Sequence, residues 1–292
     1  MKLRHAPSAF FLLFTIIVAL VASGRTAHAA ESYDNCVGTI SSLPTIITSQ
    51  GVWCLDRDLS FSPQTGSAIL VQATNVTIDC NHFKLGGLSA GPDTEANGIR
   101  SSSSNTTVRN CNIRGFLRGI YMDVDGNGGH VIEDNRLEAN RHAGMRVIGD
   151  GSVVRRNIVL DSGGADVSGN TSYGISATYD VDILDNTVRG VVGVDADFEY
   201  AIGISLDNGN AGVIEGNRIS GLMRSAGGYE VGIYAGSQNA IIRGNAITRM
   251  QAGAMPISCG SVTSTVRDNI TSGTGTSVMT GCHNAGNNTS TP

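Results

Sequence analysis

Val213-Ile214-Glu215-Gly216-Asn217-Arg218-Ile219 and Ile241-Ile242-Arg243-Gly244-Asn245-Ala246-Ile247 carry one phrase: a short apolar strand, then Asn, any residue and an apolar residue. The phrase also reads as Ile78-Asp79-Cys80-Asn81-His82-Phe83, Val131-Ile132-Glu133-Asp134-Asn135-Arg136-Leu137 and Val153-Val154-Arg155-Arg156-Asn157-Ile158-Val159. It returns in Ile183-Leu184-Asp185-Asn186-Thr187-Val188, and a degraded copy, Val266-Arg267-Asp268-Asn269, closes the series. In Val108-Arg109-Asn110-Cys111-Asn112-Ile113 the Asn position is held by Cys111. The steps between these positions are 30, 24, 22, 29, 31, 28 and 24 residues. They are too short for a strand–helix–strand unit each time, and no intervening segment shows helical periodicity.

A second phrase, Gly followed by an apolar residue, falls between the copies at Gly98-Ile99, Gly119-Ile120, Gly144-Met145, Gly174-Ile175, Gly203-Ile204 and Gly232-Ile233. Two phrases in fixed order with variable loops describe a coil that stacks on copies of itself. One coil cannot bury its own apolar side chains, whereas stacking buries columns of Ile and Val in a continuous core. Asn suits the turn because its amide can hydrogen-bond the coils above and below and it tolerates left-handed backbone. The expected fold is all-β, a solenoid of about eight parallel coils. Coil adjacency also pairs the six cysteines as Cys36 with Cys54, Cys80 with Cys111, and Cys259 with Cys282.

These phrases resemble the right-handed parallel β-helix repeat proteins, a pectate-lyase-like group that includes pectate lyases, polysaccharide epimerases and the periplasmic β-helix of nitrous-oxide-reductase maturation. Thr48-Ser49-Gln50-Gly51-Val52-Trp53-Cys54-Leu55, Asn75-Val76-Thr77-Ile78-Asp79, Arg109-Asn110, Arg114-Gly115-Phe116 and Arg118-Gly119-Ile120 continue the likeness over residues 36 to 282. The resemblance implies a right-handed, single-stranded parallel β-helix, with the activity set by the site rather than the fold.

The chain opens on Lys2, Arg4 and His5, followed by an apolar run from Ala9 to Ala22 and then Ala27-His28-Ala29. That is the pattern of a cleaved secretory signal peptide over 1–29, so the product is expected to be periplasmic or secreted, without a transmembrane anchor. The remaining organisation is an N-terminal cap and leading coil at 30–75, the β-helix at 76–282 and a disordered tail at 283–292. Loss of Lys2, Arg4 and Arg25 with the leader takes the 20 basic side chains to 17 against 25 acidic ones, a formal charge of −8. With no basic stripe, nucleic acid is not an expected partner.

Side chains alternate along a strand, so the residue after each Gly-apolar pair points outward. That column reads Arg100, Tyr121, Arg146, Ser176, Ser205, Tyr234. Arginine forks suit carboxylates and hydroxyls, and tyrosine faces suit sugar rings. The loop from the Asn turn to the Gly strand spans 8 or 9 residues after Cys111 and Asn135. It spans 17, 17, 17 and 15 after Asn81, Asn157, Asn186 and Asn217. The longer loops carry Asp93, Glu95, Asp161, Asp166, Asp195, Asp197, Glu199 and Glu230, with Tyr173, Tyr200 and Tyr229 near the ends of the last three.

Of these, Arg100, Tyr121, Arg146, Tyr234, Asp195, Asp197, Glu199 and Glu230 are the candidate polysaccharide-binding residues. The expected partner is an extended, acidic polysaccharide. The chain would bind it, either without altering it or modifying it as a lyase, epimerase or hydrolase. Glycoside hydrolysis needs two carboxyl groups across the scissile bond, but the mature chain has no Asp-Asp pair and no Gly-His-Gly. A lyase or epimerase needs a base and a cation beside the uronate. Arg100, Arg141, His142 and Arg146 are candidates for those roles, but they match no lyase motif residue by residue, and the catalytic residues stay unassigned. Asp123-Val124-Asp125-Gly126-Asn127-Gly128 matches the first half of a twelve-residue calcium loop, with Asp134 at position twelve. Calcium on Asp123, Asp125, Asn127 and Asp134 is therefore the one cofactor expectation. The alternative is a non-catalytic structural or envelope protein; a metal-handling periplasmic factor is a weaker third reading, since His and Met do not cluster.

Overall fold

Each Asn phrase folds as two short strands meeting at a corner. Val131–Glu133 precedes Asn135 and Arg136–Glu138 follows it; Ala143–Asp150, which carries Gly144-Met145, completes the coil. The computed structural model describes residues 35–165, 171–194, 199–224, 227–273 and 278–291. The expected leader, Asp166, Asp195 and Asp197 lie outside them. Among the described residues no helix is long and apolar enough to cross a membrane.

The strands form three parallel sheets. The first has 11 strands, from Gly38–Ile40 to His283–Gly286, and the second has 10, from Leu59–Ser60 to Thr289–Thr291. The third, also of 10 strands, runs from Thr45–Ile47 to Met279–Thr280. Every strand pairs with its counterpart one coil away, as in Val131↔Val153, Arg136↔Ile158 and Tyr121↔Arg146. This is the right-handed β-helix expected from the repeat, extended at both ends beyond the coils marked by the Asn phrase. Of the segment 283–292, expected as a disordered tail, residues 283–286 and 289–291 supply the last strands: Thr265 pairs with His283 and Ile270 with Thr289. Its Asn288 occupies the turn position, but Thr289, Ser290 and Thr291 are polar and hide the phrase.

The core is a set of straight columns. Ile69, Ile99, Ile120, Met145, Ile175, Ile204, Ile233 and Ile257 lie in register on the third sheet, all fully buried. Ile78, Val108, Ile132, Val154, Ile183, Ile214, Ile242 and Val266 do the same on the first. Such burial is the main stabilising term in a fold with few local contacts.

The turn is held by an amide ladder. The side-chain amide of Asn217 donates to Asn245 Oδ1 at 3.0 Å and to the Ile183 carbonyl at 2.9 Å, while its backbone N–H donates to Asn245 Oδ1 at 2.9 Å. The same pattern links Asn135, Asn157, Asn186, Asn245, Asn269 and Asn288. From Asn135 onward the left-handed backbone belongs to the residue before the Asn, whereas in the first copy Asn81 itself has a φ of 48°. Asp134, Arg156, Asp185, Gly216, Gly244 and Asp268 have φ between 54° and 68°. Glycine at 216 and 244 therefore sits where other residues accept strain.

At the ladder's head Cys111 offers only its N–H, which donates to Asn135 Oδ1 at 3.0 Å. The stack is held there by a disulfide to Cys80. The other two bridges, Cys36–Cys54 and Cys259–Cys282, also join neighbouring coils, and no cysteine is free. Non-reducing peptide mapping should return these three pairs and no free thiol. Reduction and alkylation should lower stability by about 3 kcal/mol per bridge in the chain-entropy model. An unchanged melting temperature in the alkylated protein would remove the bridges from the account of stability.

The Gly-apolar phrase has a steric cause. A Cβ on Gly174 would meet Val188 Cγ1 at 2.3 Å and the Gly203 carbonyl at 2.6 Å. Gly98, Gly119, Gly144, Gly203 and Gly232 are equally confined by the next coil and the core. The Gly and its apolar neighbour thus both face inward, and the residues flanking the pair lie outside that core, where Arg118 and Tyr173 are half-buried but Asn97, Ala143, Ile202 and Val231 are buried.

Candidate functional site: the outer face of the third sheet

That doubled inward step brings two outward columns together. The column expected from alternation is present in register as Arg100, Tyr121, Arg146, Ser176, Ser205, Tyr234. Three residues earlier on each strand a second column runs Asn97, Arg118, Ala143, Tyr173, Ile202, Val231. Strict alternation misses this column, and with it Arg118. The Tyr121 ring lies between two guanidiniums, 5.4 Å from Arg100 and 5.0 Å from Arg118.

The arginines differ in their partners. Arg100 donates to Asp123 Oδ2 at 2.5 Å. Arg118 and Arg146, both half-buried, make no salt bridge among the described residues, and the Nε atoms of all three are buried without a hydrogen-bond partner. Burial, reinforced by the Arg146 charge, lowers the pKa of Arg118. Two adjacent cations in a partly desolvated setting form a site for an anion, because their mutual repulsion is relieved when a carboxylate or sulfate arrives.

Beside Arg146 lies a set of proton-carrying groups. The His142 ring meets Tyr173 edge-on at 5.8 Å between centroids. Burial, with the Arg118 and Arg146 charges added, lowers the His142 pKa to about 4, so the imidazole is neutral at physiological pH. Burial holds the Asp207 carboxyl above its ordinary range, opposed by the Ser205 hydroxyl, which donates at 2.7 Å, and by Arg146. Burial and the Asp207 charge raise both Tyr173 and Tyr234. Further along, Tyr200 and Tyr229 stack at 5.2 Å and 22°. Among the described residues the face therefore runs from a cationic end at Arg100, Arg118 and Arg146 to a tyrosine-rich end.

His142 also sets a pH dependence shared with His130, which burial lowers to about 4 as well. A folded-state pKa below the unfolded value of 6.5 means the unfolded chain binds more protons in that window. Both histidines should therefore make stability rise with pH between about 4 and 6.5. Urea unfolding across this range checks the sign; His142→Gln should flatten the slope, and an unchanged slope would rule the residue out.

The other sequence-derived residues fall elsewhere. Glu230 is fully buried and accepts the backbone N–H groups of Gln251 at 2.9 Å and Arg224 at 3.3 Å, so its carboxylate holds loops together and does not face a ligand. Glu199 is also buried. The calcium expectation rested on a loop, but Asp123, Asp125 and Asn127 lie along the strand Arg118–Asn127. Asp123 is tied to Arg100, and Asp134 accepts from Arg156 Nη2 at 2.7 Å. Among the described residues no group of three His, Cys, Asp or Glu is placed to hold a metal ion. Calorimetric calcium titration of the chelated protein should therefore show no heat that Asp125→Ala removes. Heat lost in that variant would restore the site.

The family comparison bears out the architecture. A family model described as right handed beta helix region matches residues 26–190. The chain belongs to this family. No curated protein matches it. Among solved structures, a mutant tailspike of Escherichia coli bacteriophage HK620 in complex with a pentasaccharide is similar at 13% identity and a TM-score of 0.44. That match covers 86% of this chain and 57% of the tailspike, so this β-helix spans little more than half the tailspike's length. The A-module of mannuronan C-5 epimerase AlgE6 from Azotobacter vinelandii is similar at 12% identity and a TM-score of 0.47, covering 90% of this chain and 93% of the module.

Proposed function

We propose that this β-helix binds an extended acidic polysaccharide along the outer face of its third sheet. The observation that carries the reading is the pair Arg118 and Arg146, half-buried and without salt bridges among the described residues, beside the Tyr121 ring. A chain of sugars laid along the rod would meet one coil about every 4.8 Å. It would place acidic groups on the arginines, which Tyr121 braces, and ring faces on Tyr200, Tyr229 and Tyr234. Three disulfides fit a protein that works in an oxidising, extracytoplasmic compartment.

A specific observation also favours chemistry at this face. Neutral His142, Tyr173 and the partly desolvated Asp207 surround Arg146, the arrangement needed to move a proton beside a carboxylate held by a cation. One screen separates the readings: uronate and sulfated polymers are tested for binding while the unsaturated-uronate absorbance is followed. Binding with rising absorbance means eliminative cleavage; binding alone means a carbohydrate-binding rod. No binding to any acidic polymer overturns the proposal and leaves a structural role.

A further inference from the structure

An open hollow of about 480 Å³ lies away from the third sheet, on the outer face of the second sheet, across the strands Leu59–Ser60, Lys84–Gly86, Asn112–Arg114 and Arg136–Glu138. Four neighbouring strands span roughly 14 Å. Length and volume together fit a ligand the size of two sugar rings, within the usual range of small-ligand sites.

Its charges are poorly matched, unlike those of the first sheet. There, cations and carboxylates of successive coils pair closely: Arg109 with Asp79 at 2.8 Å, Arg155 with Glu133 at 2.7 Å, Arg243 with Glu215 at 2.7 Å. In the hollow, Lys84 stands 3.8 Å from Asp58, whose other oxygen already accepts the Lys84 backbone N–H at 2.9 Å. Arg136 reaches Glu138 only at 3.4 Å. Arg114, exposed and central, makes no salt bridge among the described residues. Three cations thus face two loosely engaged carboxylates, on a chain that is acidic as a whole.

The rim is shaped as well as charged. Leu88, 56% exposed, overhangs the hollow from a short turn of 3₁₀ helix, Leu88–Ala90. It is held there by close approach: a Cβ on Gly115 would meet Leu88 Cδ2 at 2.6 Å, and one on Gly87 would meet Phe116 Cδ1 at 2.7 Å. A fixed apolar lip, free cations, and carboxylates able to accept hydroxyl protons are the elements that grip an acidic sugar. They meet its ring face, its anion and its hydroxyls respectively.

We infer that this hollow is a second binding site, separate from the strand face, for an acidic disaccharide unit. It does not depend on the proposed function of the third sheet. The test titrates digalacturonic acid and a sulfated disaccharide into the full chain by calorimetry, with Arg114→Ala, Lys84→Ala and Arg146→Ala in parallel. The expected result is saturable binding that falls about tenfold or more in Arg114→Ala and Lys84→Ala. Arg146→Ala should leave the part of the binding that depends on Arg114 and Lys84 in place and remove only heat that belongs to the third sheet, and melting temperatures of the Arg114 and Lys84 variants should stay the same because both cations are exposed. Absence of saturable heat with either probe overturns the inference. So does binding weakened only by Arg146→Ala, since the disaccharide would then be read by the strand face.

Discussion

Asn217→Ala is expected to destabilise the rod by about 4 kcal/mol, because it strands at least two buried backbone groups at once. The Asn186 N–H loses its acceptor, Asn217 Oδ1 at 2.9 Å, and the Ile183 carbonyl loses its donor. The Asn186 side-chain amide loses one of its bonds as well. No water can replace them at a fully buried position. Asn288→Ala, at the partly exposed end of the ladder, should cost about 1 kcal/mol or less, since solvent can re-satisfy its neighbours. Thermal and urea unfolding of the two variants decides the matter; equal losses at the middle and at the end would show that the ladder is not a buried network.

The second large effect is on ligand affinity. Arg146→Ala should weaken binding of an acidic polysaccharide about 10- to 100-fold, the range for truncating one charge-assisted contact, with little change in melting temperature. Ile120→Ala, whose side chain points into the core on the coil before it, should do the reverse. It leaves a cavity that costs about 2–5 kcal/mol and spares affinity in the folded fraction. Tyr121→Ala should follow Arg146→Ala. Affinity retained by both face variants would move the ligand elsewhere, to the long-loop side of the rod.

The fold was legible because one residue type recurs where one physical demand recurs. An Asn at each corner and a Gly where coils crowd are both forced by the stack, so spacing alone revealed it. What lay outside that demand was hidden. The last coil is hidden because Ser290 stands where the phrase expects an apolar side chain. Arg118 escaped because Gly119 and Ile120 both turn inward and break the alternation from which outward residues were counted. In place of the loop that the calcium spacing implies, Asp123, Asp125 and Asn127 are carried along a strand, where residues two apart stand about 7 Å from each other. Glu230 looked like a reactive loop acid because sequence cannot show that its carboxylate is spent on two backbone amides.

The amide ladder carries no record of which coil precedes which. Asn157 binds Asn186 through the same contacts by which Asn186 binds Asn217, so a segment cut or copied from one Asn to the next rejoins in phase. All three covalent staples sit toward the ends, and the stretch between Cys111 and Cys259 has none to be put out of register. The molecule is thus a ruler that can lengthen by unequal exchange in its gene, one graduation at a time. On the proposed reading, homologues with an extra graduation should protect a proportionally longer piece of polysaccharide from digestion while keeping the same disulfide-stapled ends.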